Sequence, residues 1–327
     1  MEKISENRSK KPKNLLYSAL PYALFLVGGE LIFLGGGLFS RPFSLSFLAV
    51  IAFSLLLLWA LSEAARSVFR FSFISEVKGI IKKLLFALFC ILGIVAAASV
   101  LWRSLGEFIN FAEDVMLLRS PSWLLVGIFL LFCGYLGSKG AVVIKKFALI
   151  GSFTVAFGII LLLIFSFSSI DLTKLSARFS LEFNLSEMVF GFFTSISPLV
   201  VPIIFLCGEK KRGGFRRGGA PLGLIIGSVL LLICYFNLIF LLGEGFGGDQ
   251  KYPYFAMAST ISVGKNFMRM EGISYIICLF SLAFRISVCL STLATLSKKL
   301  FFKGADYPCL CYIVSGLVFF VTLLFPI

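Results

Sequence analysis

The chain contains no histidine in 327 residues. That excludes histidine-based catalytic dyads and triads, imidazole metal sites and imidazole proton relays. Acidic residues are scarce, 16 against 30 Lys and Arg. They form no cluster suited to a metal, and neither a nucleophile elbow nor a phosphate-binding loop is present. No enzymatic activity, metal or cofactor is expected. Cysteine is present eight times, at Cys90, Cys133, Cys207, Cys234, Cys278, Cys289, Cys309 and Cys311, always in or beside an apolar stretch. These read as small buried hydrophobes rather than a disulfide framework.

What the chain has in abundance is hydrocarbon. Hydrophobic residues make up 59% of it, Phe alone contributes 39, and the mean hydropathy is +1.02. Several runs exceed the roughly 18 apolar residues that mark a spanning helix. The fold class is therefore an all-α polytopic membrane protein with about nine spans. The net charge of +14 does not indicate nucleic acid, because the basic residues fall in short loops between spans.

In chain order, residues 1–14 form a polar, basic tail that is expected to be cytoplasmic. The apolar segment after it is too long for a signal peptide and lacks a cleavage site. Residues 15–327 form one transmembrane domain. Its spans are expected near 15–38, 43–60, 84–111, 121–137, 147–167, 185–207, 222–242, 272–296 and 309–326. The segments 62–83, 138–146, 208–218 and 297–305 are rich in Lys and Arg, and the alternate segments are mixed or weakly charged. Every second loop agrees, so the N-terminus is expected on the cytoplasmic side. The piece 252–270 is expected to be a helical flap on the outer face, because Lys265 and Arg269 interrupt it.

Two spans are broken. The first holds Gly28, Gly29 and an intramembrane Glu30. The sixth holds Gly191, Thr194, Ser195, Ser197, Pro198 and Pro202. Each proline removes a backbone donor and clashes with the carbonyl four residues back. A freed carbonyl in lipid needs a polar partner or a water-lined cavity. Two readings stand, a packing kink and a binding site. Broken helices in the first and sixth positions match an inverted repeat of five spans, 15–167 and a shortened 185–327, with the breaks facing each other near the midplane. Unwound amides suit a carboxylate, and unwound carbonyls suit an ammonium or cation. Gly28, Gly29, Glu30, Gly191, Thr194, Ser195, Ser197 and Arg285 are the candidate ligand-binding residues. Glu30 and Arg285 are charges inside spans and should face the bundle interior. They are candidates either for ligand contact or for a buried tie to each other.

Residues 252–271 run Tyr-Pro-Tyr-Phe through Gly264, Phe267, Arg269 and Glu271. This resembles the "(F/Y)P … G-x-F-x-x-R-x-E" stretch of the permease (B) subunit of spore germination receptors, the GerAB-type family of the amino acid–polyamine–organocation superfamily. The following Phe280-Ser-Leu-Ala-Phe-Arg-Ile-Ser-Val288 is similar to that family's "F-(I/V)-K-I-S" segment, with Arg285 where Lys is usual. Leu118-Arg-Ser-Pro-Ser-Trp123 is similar to its "L-P-x-T-P-x-W", and Tyr135 to Lys146, with Gly140, also fits.

The resemblance implies a LeuT-like inverted-repeat bundle in the spore's inner membrane. It implies an A-type subunit and a lipoprotein C-type subunit as partners, and a small nutrient, often an amino acid, as the germinant sensed. The family has ten spans, so the tenth is expected to be missing here. Three functions follow: a germinant-sensing subunit, an ion- or proton-coupled amino-acid transporter of the same fold with Glu30 as carrier, or a subunit with a vestigial site.

Overall fold

The computed structural model describes residues 15–31, 43–44, 80–116, 121–167, 179–180, 197–207, 219–242, 251–261, 270–302 and 306–324. Those residues are overwhelmingly helical. The helices are α1 (Leu15–Glu30), α2 (Ile80–Phe111), α3 (Ser122–Ser138), α4 (Ala141–Ser166), α5 (Val200–Cys207), α6 (Gly219–Leu242), α7 (Pro253–Thr260), α8 (Glu271–Leu300) and α9 (Tyr307–Leu324). A π turn, Ala112–Met116, extends α2, and a 3-10 turn, Ser197–Leu199, leads into α5. Among the described residues the extended structure is one parallel pair of two-residue strands, β1 (Phe43–Ser44) with β2 (Phe179–Ser180). Among the described residues, five helices are long and apolar enough to cross a membrane, and α1 and α3 are shorter apolar helices. The chain is thus an α-helical bundle consistent with a multi-pass membrane protein.

The helices of the third, fourth, fifth, seventh, eighth and ninth expected spans fall close to their expected limits. Pro121 stands at the N-cap of α3, and Glu271 is the first residue of α8, where a carboxylate meets the positive end of the dipole. The expected flap over 252–270 is a short helix, α7, whose Pro253, Tyr254, Met257 and Ala258 are buried against α6 and α8. Residues 262–269, most of the second span and 185–196 of the sixth lie outside the described residues.

α8 is the centre of the bundle. In its most apolar window 72% of residues are buried, against 17% in α9. From Ser281 to Ala294 every residue is buried, so the helix is covered on all sides. It packs on α1, α2, α3, α4, α5, α7 and α9. The hydroxyls of this stretch tolerate it because they bond back to their own helix. Ser281, Ser287, Ser291, Thr292 and Thr295 each donate to the carbonyl four residues earlier at 2.7 Å.

Contacts fix the helix directions. α2 is antiparallel to α8, since Gly93 meets Leu296, Glu107 meets Arg285 and the Tyr275 hydroxyl donates to the Val115 carbonyl. α4 is antiparallel to α8 through Phe147 with Phe280 and Gly158 with Ile277. α3 runs parallel to α8, with Cys133 near Ala283 and Ser291 near Gly137. α1 is antiparallel to α8 and parallel to α6. Its Ser18, Ala19 and Ala23 lie against Gly219, Gly223 and Gly227. A Cβ at Gly223 would stand 2.6 Å from the Tyr22 Cβ, so only glycine lets these two backbones come this close. One end of the bundle therefore gathers Lys139, Lys145, Lys146, Lys298 and Lys299. The other end carries Asp114, which accepts from the Tyr252 hydroxyl at 2.7 Å and pairs with Lys251. Burial, then that bond to Asp114, holds the Tyr252 phenol above the usual tyrosine range.

Candidate ligand site

α1 has 16 residues, about 24 Å of helix, and stops short of a hydrocarbon core of about 30 Å. Its last turn is Val27-Gly-Gly-Glu30, closed by a hydrogen bond of 3.0 Å from Leu31 N–H to the Val27 carbonyl. The final carbonyls of a helix have no partner within it and carry the negative end of its dipole. At Gly28, α1 comes close to α8: a Cβ there would lie 2.7 Å from the Ser281 carbonyl oxygen. In the described part of the sixth span, Pro198 lies in the 3-10 turn Ser197–Leu199 and Pro202 in the first turn of α5, where a missing N–H costs least. This 3-10 turn packs on both α1 and α2.

Arg285, near the middle of α8, is 2% exposed. Its guanidinium lies over the Phe25 ring, 5.4 Å from the centroid. Its Nη1 stands 3.8 Å from Oε2 of Glu107, which is itself 6% exposed. That separation is an ion pair but too long for a hydrogen bond. The other oxygen of Glu107, Oε1, accepts from Arg103 Nε at 2.9 Å. Arg103 is one helical turn away on α2, with 39% of its side chain exposed. Among the described residues, Glu107 Oε2 and Arg285 Nε and Nη1 have no hydrogen-bond partner. Two guanidiniums thus share one carboxylate in the interior of the bundle.

The structure brings Gly28, the turn at Ser197 and Arg285 into neighbouring elements. Gly29 and the buried Glu30 lie in the same last turn of α1 as Gly28. Gly191, Thr194 and Ser195 lie outside the described residues. The buried tie considered between Glu30 and Arg285 takes a different form, because the carboxylate against Arg285 is Glu107. The reason is axial position. Phe25 is the α1 residue level with Arg285, and Glu30 lies five residues further along the helix, roughly 7 Å away.

Sequence reasoning carried the third span past Arg103 and Glu107 without giving either a role. The signal was there: opposite charges four residues apart in an apolar run fall on one helix face. Gly219, Gly223 and Gly227, at intervals of four, were a second signal passed over.

A separate groove of about 470 Å³ opens between α2, α3, α4 and α8. Phe108, Phe129, Phe132, Phe147 and Phe280 line it, with no charged residue. It offers hydrocarbon contact but no polar group to orient a nutrient. Among the described residues, no group of three or more Cys, Asp or Glu is placed to hold a metal.

No protein-family profile matches this chain, and no curated protein is significantly similar to it.

Proposed function

We propose that this chain is the membrane-embedded sensing subunit of a spore germination receptor, and that it binds a small nutrient of the amino-acid class within the bundle. The observation that carries the reading is the buried, incompletely bonded Arg285–Glu107 pair against Phe25 of α1, with the turn at Ser197 packed on α1 and α2. An ionisable residue at membrane depth is costly and marks a functional path or ligand contact. A helix that ends in the interior presents backbone groups to a ligand. The motif at Tyr252–Glu271 supplies the family, and with it a LeuT-like fold of two inverted repeats. In this reading the lysine-bearing end of the bundle is cytoplasmic, the membrane is the spore's inner membrane, and A-type and lipoprotein C-type subunits are the partners. Nutrient binding shifts the bundle between two packings, and the partners read the shift.

The test is germination of spores that carry this gene with its neighbours, against spores lacking this gene alone, across amino acids, sugars and nucleosides. Loss of response to one nutrient class is the expected result. An unchanged response to every nutrient overturns the reading. Two buried carboxylates, Glu30 and Glu107, favour a second reading as a proton-coupled amino-acid transporter. That version requires uptake of labelled amino acid by the chain expressed alone, whereas a sensing subunit moves none.

A further inference from the structure

We propose that Glu107 is an internal stand-in for a carboxylate on the ligand. In the empty bundle it holds Arg285 loosely. When an organic carboxylate enters, it takes Arg285 and leaves Glu107 wholly to Arg103. The inference rests on the ligand-site reading above and names the ligand's chemical class.

Four observations carry it. Arg285 is buried, so its charge must be met by a group inside the bundle. The Phe25 ring covers one face of the guanidinium, leaving its N–H edges as the route for recognition. Nε and Nη1 are unbonded among the described residues, and Glu107 Oε2, the nearest acceptor, is also unbonded at 3.8 Å. Glu107 stays at that distance because Oε1 is held by Arg103 at 2.9 Å. Arg285 therefore keeps unused N–H donors beside a carboxylate that is already held by Arg103. A ligand carboxylate offers those donors two charged acceptors, which a neutral sugar or amide does not. Because Glu107 belongs to α2 and Arg285 to α8, the exchange of partners loosens the tie between these two helices. The chemistry of the site thus reaches the packing around α8.

The experiment uses the full chain in lipid nanodiscs. Thermal unfolding and binding isotherms are measured with the twenty protein amino acids, their carboxamides, and glucose and inosine as neutral probes. At least one amino acid is expected to bind and raise the unfolding temperature, while its carboxamide binds at least tenfold more weakly. Glu107→Gln removes the internal competitor and is expected to tighten that amino acid on the order of tenfold. Arg285→Gln abolishes binding, and Arg285→Lys restores part of it. Size-exclusion profiles establish that each variant is folded; if Arg285→Gln is not, the wild-type acid–amide comparison and Glu107→Gln still decide. Equal binding of acid and amide, weaker binding by Glu107→Gln, or no binding by any amino acid overturns the proposal. Its failure is separable from that of the receptor reading. Carboxylate binding without any germination phenotype sinks the receptor and leaves the exchange intact. A germination response carried by this chain but insensitive to the carboxylate does the reverse.

Discussion

At the residue scale, burial and backbone proximity decide which substitutions matter. Gly28 and Ser287 both lie on the packed faces around α8, yet their roles differ. A Cβ at Gly28 would run into the Ser281 carbonyl, so a side chain there must drive α1 away from α8. Gly28→Val is expected to destabilise the chain by about 1–3 kcal/mol, the usual range for overpacking. The measurement is the unfolding temperature in detergent, and an unchanged value would refute the close approach. The Ser287 hydroxyl bonds within its own helix to the Ala283 carbonyl at 2.7 Å. It also meets the Cys133 thiol of α3, so Ser287→Ala is expected to cost about 1 kcal/mol or less, the size of one weak bond between helices.

At the scale of the element, α1 is held by a groove in α6 and ends beside α8. The groove exists because Gly219, Gly223 and Gly227 recur every four residues and so share one face. Gly223→Leu is expected to separate α1 from α6 and to lower the amount of folded protein several-fold, measured by fluorescence-detected size exclusion. Gly272, in the first turn of α8, is the matched control, since a Cβ there meets nothing within 4 Å. Gly272→Ala should be neutral or stabilise by up to about 1 kcal/mol through helix propensity. If both variants behave alike, the α1–α6 contact is not what limits folding. α8 stands apart from the outer helices for the same reason that it is legible only in part. Its serines and threonines lower its mean hydropathy, but their internal hydrogen bonds let it occupy the middle of the bundle.

At the scale of the whole molecule, the alternating directions of α2, α3, α4, α8 and α9 bring the lysine-bearing helix ends together. In a cysteine-free background, Lys139→Cys and Lys298→Cys are expected to react with a membrane-impermeant maleimide only after permeabilisation. Lys251→Cys, at the opposite end, should react in intact cells. Labelling of Lys139→Cys and Lys251→Cys from the same side would break the assigned topology. The structure also holds features that composition does not announce, such as the β1–β2 pair and the bonds from Asp114 to Lys251 and Tyr252. These join segments about 135 residues apart, at separations for which sequence periodicity carries no information.

The amino-acid sequence by itself determined the class of this protein and the approximate limits of α2, α3, α4, α6, α8 and α9. These follow from a local quantity, apolar run length against bilayer thickness. It also marked the end of α1 at Gly28–Glu30, because Gly acts on the backbone where it stands. Only the tertiary structure decided that α8 lies at the centre. It alone set Phe25 beneath Arg285, and placed the carboxylate facing that arginine on α2 rather than α1. Ion pairing between helices depends on axial level and facing direction, and both are set by packing of whole helices against one another.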